Sequence, residues 1–243
     1  MKHVTNQEQL KHDREMSISE HLDELRNRFL IVFVLFGFFS ISCFTQLKEI
    51  TLFLQKPALG VKFLQLAPGE YFFVSIKIAL YSSILLTLPL AIYQIIMFVR
   101  PGLTGQEAQI IIPSLLGSIL LFFIGIVFGY TILIPAALSF FIKYGADIIE
   151  PLWSFEQYFD FVILLLISTG LAFQIPILQI FLGLFNFISS KQMLSAWKYV
   201  IVIATILGAI LTPSTDPFTQ CLMAIAILAL YFSGISILII LKK

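Results

Sequence analysis

Two short polar stretches of this sequence combine carboxylates with helix-start patterns, and either could hold a cationic ligand. The first stretch runs from Ser17 to Arg28 and opens with Ser17 and Glu20, the spacing of a capping box. Within it, Glu24 and Arg28 are four residues apart, so they share a helical face and can form an ion pair. An exposed pair of this kind contributes only a few tenths of a kcal/mol, roughly. A plain solvated helix end therefore remains an equal alternative.

The second stretch, Phe98 to Glu107, contains Thr104 and Glu107 at the spacing of another capping box. This pattern predicts that Glu107 lies in the first turn of a helix. A carboxylate at the start of a helix on the membrane surface is also well placed to hold a cationic group from a ligand. The capping role and the binding role are compatible in one side chain.

The composition shows what must position these groups. Apolar residues make up 59% of the 243 positions and charged residues only 12%, too little polar surface for a water-soluble protein of this size. We predict an all-α membrane protein with a single polytopic domain, residues 1–243, in which residues 1–28 form the amino-terminal tail. Six apolar runs predict six transmembrane helices: residues 29–45, 71–99, 110–141, 158–187, 199–212 and 219–241.

The fifth run is short, and at ~1.5 Å per residue its helix reaches only ~21 Å. Basic residues concentrate in the amino tail, in the loops after the second and fourth runs, and at the carboxyl end. By the positive-inside rule, both termini face the cytoplasm or the stroma. Prolines inside the apolar runs predict kinked or locally opened helices: Pro89, Pro113, Pro135 and Pro176.

Several function classes receive little support from the sequence. The net charge is only +1, so we expect no nucleic-acid partner. His3, His12 and His21 all precede the first span, and no HExxH or nucleophile-elbow motif occurs, so we expect no metal, no cofactor and no catalysis. A secondary transporter of small solutes is the main alternative, because such proteins use broken helices. Few ionisable groups lie near the midplane, which argues against it.

The polar stretches also carry a family resemblance. His21-Leu22-Asp23-Glu24-Leu25-Arg26-Asn27-Arg28 resembles the HLxELRxR signature of the TatC family, and the Phe98 to Glu107 stretch resembles the FxxPxLxxxE loop of that family. The segment Thr212 to Gln220 is similar to the last outer turn of the family. The resemblance covers nearly the whole chain, with six spans in order.

The resemblance implies a receptor that binds signal peptides with two adjacent arginines. In the family, the amino tail and the first cytoplasmic loop form the docking site, where the matching carboxylates here are Glu24 and Glu107. Phe98 and Pro101 would shape the loop, and Arg26 would position Glu24. Guanidinium and carboxylate groups pair through bidentate, charge-assisted hydrogen bonds that lysine reproduces poorly.

Further polar residues lie in or beside the predicted spans. Gln174 lies in mid-span, where some family members carry Glu, and an interhelical hydrogen bond is the simpler interpretation. Asp216 and Gln220 flank the last outer turn, where the resemblance implies contact with a partner's helix and where Asp216 could simply cap the sixth helix. Lys77 and Asp160 lie near the outer surface, and we interpret both as structural.

The resemblance also implies partners and a location. The receptor would recruit single-span proteins of the TatA and TatB type, assemble as several copies within a larger complex in the lipid bilayer, and transport folded proteins using the proton-motive force. Abundant Ile and Phe and a preference for Lys over Arg favour a plastid thylakoid membrane. A bacterial inner membrane is the alternative.

Overall fold

A computed structural model describes residues 18–58, 60–99, 105–144, 150–185, 187–212 and 216–241; for residues 18 and 105–112 it describes the backbone alone. The first half of the described chain forms α1 (Ile18–Thr45), α2 (Leu47–Gln55), a 3-10 turn (Lys56–Ala58), β1 (Lys62–Leu64), α3 (Glu70–Val99) and α4 (Gly105–Phe128). A π-helical turn (Gly129–Leu133) leads into α5 (Ile134–Tyr144). The chain continues with β2 (Leu152–Ser154), α6 (Phe155–Ala172), α7 (Ile175–Leu184), α8 (Ser190–Ser195), α9 (Trp197–Leu211) and α10 (Pro217–Ile240).

Long apolar segments dominate the described chain. Five of them are long and apolar enough to cross a membrane: Ser19–Thr45, Glu70–Val99, Pro113–Tyr144, Phe155–Leu184 and Pro217–Ile240. The helix between the last two, α9, is apolar but has only 15 residues, which corresponds to ~22 Å. The prediction of six membrane helices, of which the fifth is short, is confirmed.

Prolines interrupt these helices in different ways. Pro89 and Pro113 lie inside α3 and α4, whereas Pro135 follows the π-helical turn and Pro176 follows a break at residues 173–174. Proline has no N–H to donate and its ring clashes with the carbonyl four residues earlier, so the backbone must re-space or open nearby. The predicted runs 110–141 and 158–187 are therefore each built from two helical pieces.

The α6–α7 segment is the centre of the bundle. In its most apolar stretch 67% of the residues are buried, whereas only 6% are buried in the corresponding stretch of α1. Glycines allow α4 to approach α6 closely. A Cβ at Gly125 would lie 2.8 Å from the carbonyl oxygen of Thr169, and one at Gly170 would lie 2.8 Å from the ring of Phe122. Small residues at such crossings let transmembrane backbones pack by van der Waals contact.

A short parallel ladder joins two loops at the outer end of the bundle, the end opposite Glu24. Lys62 pairs with Leu152 and Leu64 with Ser154, which connects the segment after α2 to the segment before α6. These strands were not predicted, because three residues are too few to show an alternating pattern.

Glu70 fixes the same loops. Its carboxylate is 5% exposed and accepts hydrogen bonds from the backbone N–H groups of Leu66, Ala67 (3.0 Å) and Glu156 (3.1 Å). Two tyrosines hold α2 nearby, since Tyr130 and Tyr158 each donate at 2.7 Å to a carbonyl near the end of that helix. The outer end is therefore held by backbone-directed bonds.

Candidate functional site

Glu24 lies on the second turn of α1, and its two carboxylate oxygens have different environments. Oε1 accepts hydrogen bonds from Nε (2.9 Å) and Nη2 of Arg28. Oε2 is buried and receives no hydrogen bond from any group in the described part of the chain. Both side chains are only 20% exposed, so the pair is less screened than an ordinary surface ion pair. The spacing of four residues on a helix explains why the two side chains meet.

Gln94 completes the environment of Arg28. Its amide oxygen accepts a 2.9 Å hydrogen bond from Nη1 of Arg28, which ties α3 to α1. Sequence reasoning missed this residue, although a single amide in an otherwise apolar run, four positions before Phe98, was an available signal. The guanidinium of Arg28 is thus fixed by a carboxylate on one helix and an amide on the other.

His21 and Phe98 form a second contact between these helices. Their rings are stacked, with centroids 4.1 Å apart and planes inclined by 15°. Nδ1 of His21 lies 3.9 Å from Oε2 of Glu24, too far for a hydrogen bond. The structure therefore brings Phe98, one of the predicted site residues, next to Glu24 through the ring of His21.

Arg26, predicted to position Glu24, has a different partner. Its Nη2 lies 3.4 Å from Oδ1 of Asp23, and both side chains are about two-thirds exposed, at 69% and 67%. Residues 23 and 26 are three apart and so share a face of α1. The residue that orients Glu24 is Arg28, which the prediction had paired with it by spacing alone.

The remaining residues of this predicted site lie outside the described side chains. Pro101 falls in residues 100–104, which the structure does not describe. Glu107 lies in the first turn of α4, as its capping pattern predicts, and only its backbone is described. The pairing of its carboxylate with Glu24 around one ligand stays a prediction.

Gln174 occupies the break between α6 and α7 and is 7% exposed. Its Oε1 accepts a 2.6 Å hydrogen bond from the hydroxyl of Ser118, and its Nε2 donates to the Ser118 carbonyl at 3.1 Å. Both ends of the amide are therefore used in holding α4 against the break. This is the interhelical hydrogen bonding that the simpler interpretation of Gln174 expected.

Asp216 caps α10. Oδ2 accepts from the backbone N–H of Thr219 at 2.7 Å, and Oδ1 accepts from the Thr219 hydroxyl at 2.5 Å. Gln220 follows one turn later, half-buried, and its carbonyl oxygen approaches Gly208 of α9 so closely that a Cβ there would lie 2.9 Å away. The two residues are four apart on one helix, as predicted, and they lie where α9 and α10 meet.

An ion cluster at the outer end was only partly anticipated. Nζ of Lys77 lies 2.6 Å from Oε1 of Glu156 and 3.1 Å from Oδ2 of Asp160, so one lysine on α3 contacts two carboxylates on α6. The sequence analysis gave Lys77 and Asp160 structural roles but did not pair them. The structure shows that they act together and adds Glu156.

The family model of the Sec-independent protein translocase protein TatC matches residues 20–225, most of the chain.

This chain belongs to the TatC family.

Individual relatives agree with the family assignment. A TatC-like protein of Porphyra purpurea is 59% identical over 240 residues, covering 98% of this chain and 94% of that protein. The Sec-independent protein translocase protein TatC of Synechocystis is 55% identical over 233 residues, covering 95% and 91%. A chloroplast TatC protein of rice is 48% identical over 231 residues, covering 94% of this chain and 64% of that protein.

A solved structure shares the fold. The crystal structure described as the twin-arginine translocase receptor TatC superposes with a TM-score of 0.78 at 36% identity, covering 92% of this chain and all of that one. This TatC-family chain is thus a multi-pass membrane protein and a subunit of a twin-arginine translocase. Its algal and chloroplast relatives indicate the thylakoid membrane of a plastid. The alternative of a small-solute transporter is set aside.

Proposed function

We propose that this chain is the signal-peptide receptor of its translocase. It binds two adjacent arginines beside Glu24, at the end of the bundle where α1 begins and α3 ends. The observation that carries the proposal is Oε2 of Glu24, a buried carboxylate oxygen that no described group satisfies. Leaving a buried acceptor without a donor costs about 1–3 kcal/mol. A guanidinium from a ligand would supply the missing donor.

The charges around Glu24 fit a cationic ligand. Arg28 already neutralises much of the Glu24 charge, but it does so through Oε1 alone. A second guanidinium that approaches Oε2 gains a charge-assisted hydrogen bond in a partly desolvated environment. Desolvation of the incoming cation offsets much of this gain. We therefore expect the peptide to bind with moderate affinity, and we expect this affinity to depend strongly on the carboxylate of Glu24.

Glu107 supplies a second carboxylate for the second arginine. It lies in the first turn of α4, just after the residues that connect α3 to α4. In this proposal Pro101 shapes the connection between α3 and α4, and Arg26 lies on the exposed rim of the site beside Asp23. Two acidic side chains that face two guanidinium groups account for a requirement for two adjacent cationic residues, because each carboxylate pairs with one of them.

The opposite end of the molecule contacts partner helices in this proposal. Asp216 holds the start of α10, a helix on which Gln220 is half-buried and Phe218 and Ile225 have exposed side chains. A polar group within an apolar, lipid-facing surface favours association with another transmembrane helix. We infer that single-span proteins of the TatA and TatB type bind here and that several copies of the chain assemble within a larger complex.

Charge-neutral substitutions test the peptide site. Glu24→Gln and Glu107→Gln retain side-chain size and, for Glu107, the capping ability, so the proteins should insert and fold normally. Binding of a fluorescent twin-arginine signal peptide to protein in lipid nanodiscs should fall at least tenfold in each variant. Asp23→Asn is the matched control, since Asp23 is on the same helix turn, pairs with the exposed Arg26 and should leave binding unchanged. Full-strength binding to Glu24→Gln would refute the assigned role.

Cysteine cross-linking tests the partner surface. Because Cys221 is exposed, it is first replaced by Ala, and a new cysteine is then placed at Gln220. Cross-links to single-span proteins are expected there and not from a cysteine at Phe33, a more exposed site on α1. Equal cross-linking at both positions would show non-specific membrane collisions. Co-purification in mild detergent identifies the partners.

A further inference from the structure

We propose that His21 is a specificity-determining residue of the peptide site: its ring, held on Phe98, stacks on the guanidinium that pairs with Oε2 of Glu24. The inference rests on the proposed function, because it concerns the same ligand at the same carboxylate. It adds the feature by which arginine is distinguished from lysine at this position.

Oε2 of Glu24 is the carboxylate oxygen that can accept a hydrogen bond from a ligand. Oε1 of Glu24 already receives two N–H groups from Arg28, so the carboxylate has only Oε2 left for a ligand. A guanidinium from a ligand therefore cannot form a bidentate fork across both oxygens, because Arg28 already occupies Oε1. A single carboxylate oxygen accepts a hydrogen bond from an ammonium as readily as from a guanidinium, so Glu24 alone discriminates poorly between lysine and arginine.

The position of Arg28 is also fixed from the other side. Nη1 donates to Gln94 at 2.9 Å, and this bond anchors the guanidinium to α3. A ligand that displaced Arg28 would have to break hydrogen bonds to both Glu24 and Gln94. Binding beside Arg28, at Oε2, requires neither bond to break.

His21 is the side chain that borders Oε2. Its Nδ1 lies 3.9 Å from that oxygen, so a donor bound there would lie against the imidazole. One face of the ring is packed on Phe98 with centroids 4.1 Å apart. The side chain keeps 42% of its surface exposed, which leaves room for a second planar group on the opposite face. Phe98 restricts the rotation of the ring and holds that face in place.

The planar shape of the guanidinium then favours arginine over lysine. A guanidinium that donates an N–H to Oε2 can lay its plane on the imidazole, as arginine does on aromatic rings, whereas the compact and strongly hydrated lysine ammonium cannot stack. Such stacking contributes about 0.5–2 kcal/mol, which corresponds to a preference of roughly 2- to 30-fold. The order Phe98, His21, ligand guanidinium thus forms a three-layer stack beside Glu24.

Two substitutions separate the stacking face from simple bulk. His21→Phe keeps a flat ring, and His21→Leu removes it while retaining an apolar side chain. Dissociation constants are measured in nanodiscs for a twin-arginine signal peptide and for its two-lysine counterpart. The readout is the dissociation constant of the lysine peptide divided by that of the arginine peptide. We expect His21→Phe to retain the wild-type ratio and His21→Leu to lower it by roughly tenfold, with the affinity for the lysine peptide unchanged.

The same titrations distinguish failure of this inference from failure of the proposed function. If the wild-type protein binds both peptides equally, the proposed function fails. If the wild-type protein prefers arginine and Glu24→Gln loses that binding, but His21→Leu keeps the full ratio, only the role of His21 is overturned. Should His21→Leu fail to insert, His21→Gln provides the same test, because its amide cannot replace the ring face. A full ratio in His21→Gln then overturns the inference, and a lowered ratio supports it.

Discussion

The amide oxygen of Gln94 accepts a 2.9 Å hydrogen bond from Arg28, and this contact joins α3 to α1 at the end of the bundle that carries Glu24. It matters because α1 is the least buried span and packs mainly on α3. An arginine shared by a carboxylate and an amide holds the direction in which Glu24 presents its free oxygen. The polar contact therefore contributes both to attachment of α1 and to geometry of the site.

Replacement of Gln94 by Leu should weaken binding of the twin-arginine peptide, because Arg28 loses its anchor on α3 and is free to cover Oε2. We expect a three- to tenfold loss, consistent with about 1 kcal/mol for one partly buried hydrogen bond. Peptide titration in nanodiscs provides the measurement. Ser40→Ala is the control, since the 3.1 Å bond from Ser40 to Ser83 also joins α1 to α3 but lies away from Glu24. Equal losses in the two variants would mean that only helix attachment was affected.

Glu70→Ala should destabilise the outer end of the molecule. The substitution leaves the N–H groups of Leu66, Ala67 and Glu156 without their shared acceptor, in a region where Glu70 itself is 5% exposed. A loss of about 2–4 kcal/mol is expected from several charge-assisted bonds. Thermal unfolding in detergent measures it, with Glu49→Ala, an exposed carboxylate on α2, as the control. An unchanged melting temperature for Glu70→Ala would contradict a stabilising role of these three hydrogen bonds.

The ion cluster of Lys77, Glu156 and Asp160 should contribute much less. The three side chains are roughly 36–47% exposed, so solvent screens their attraction. Double-mutant cycles that combine Lys77→Met with Glu156→Gln or Asp160→Asn should give coupling energies of about 0.2–1 kcal/mol each, and these should shrink as salt is added. Coupling energies near 3 kcal/mol would indicate that the cluster is far better shielded than its exposure implies.

Local patterns in the sequence were sufficient for the membrane helices and for some of the contacts within one helix. The Glu24 and Arg28 pair, and the helix start at Asp216, follow from spacing and capping chemistry that need no knowledge of packing. The contact of Arg28 with Gln94 could not be predicted in the same way, because it joins residues 66 positions apart and depends on how two helices cross. The same reason explains why Glu156 was missed as a partner of Lys77, 79 positions away.

Glycine and proline signals were only partly informative for the same reason. Pro176 indicated an opening in the fourth span, but its consequence, an amide at residue 174 bonded at both ends to Ser118, depends on the position of α4. Gly125 gave no local signal of its close approach to Thr169. Nearby residues determine where a helix forms or breaks, whereas contacts between helices depend on which faces of the helices meet.

Two buried glutamines in one span provide the last prediction. Gln174 is 7% exposed with both amide groups bonded, whereas Gln179, on α7, is 5% exposed and neither of its amide atoms has a hydrogen-bond partner among the described residues. Methionine matches glutamine in length and shape and removes the amide from each site. Gln174→Met should cost about 1–3 kcal/mol, because the Ser118 hydroxyl and carbonyl lose their partner, while Gln179→Met should be neutral or stabilising, because an unsatisfied amide is removed. Unfolding midpoints of the two variants in the same detergent compare the effects directly. Equal destabilisation would show that Gln179 has a bonding partner as strong as that of Gln174.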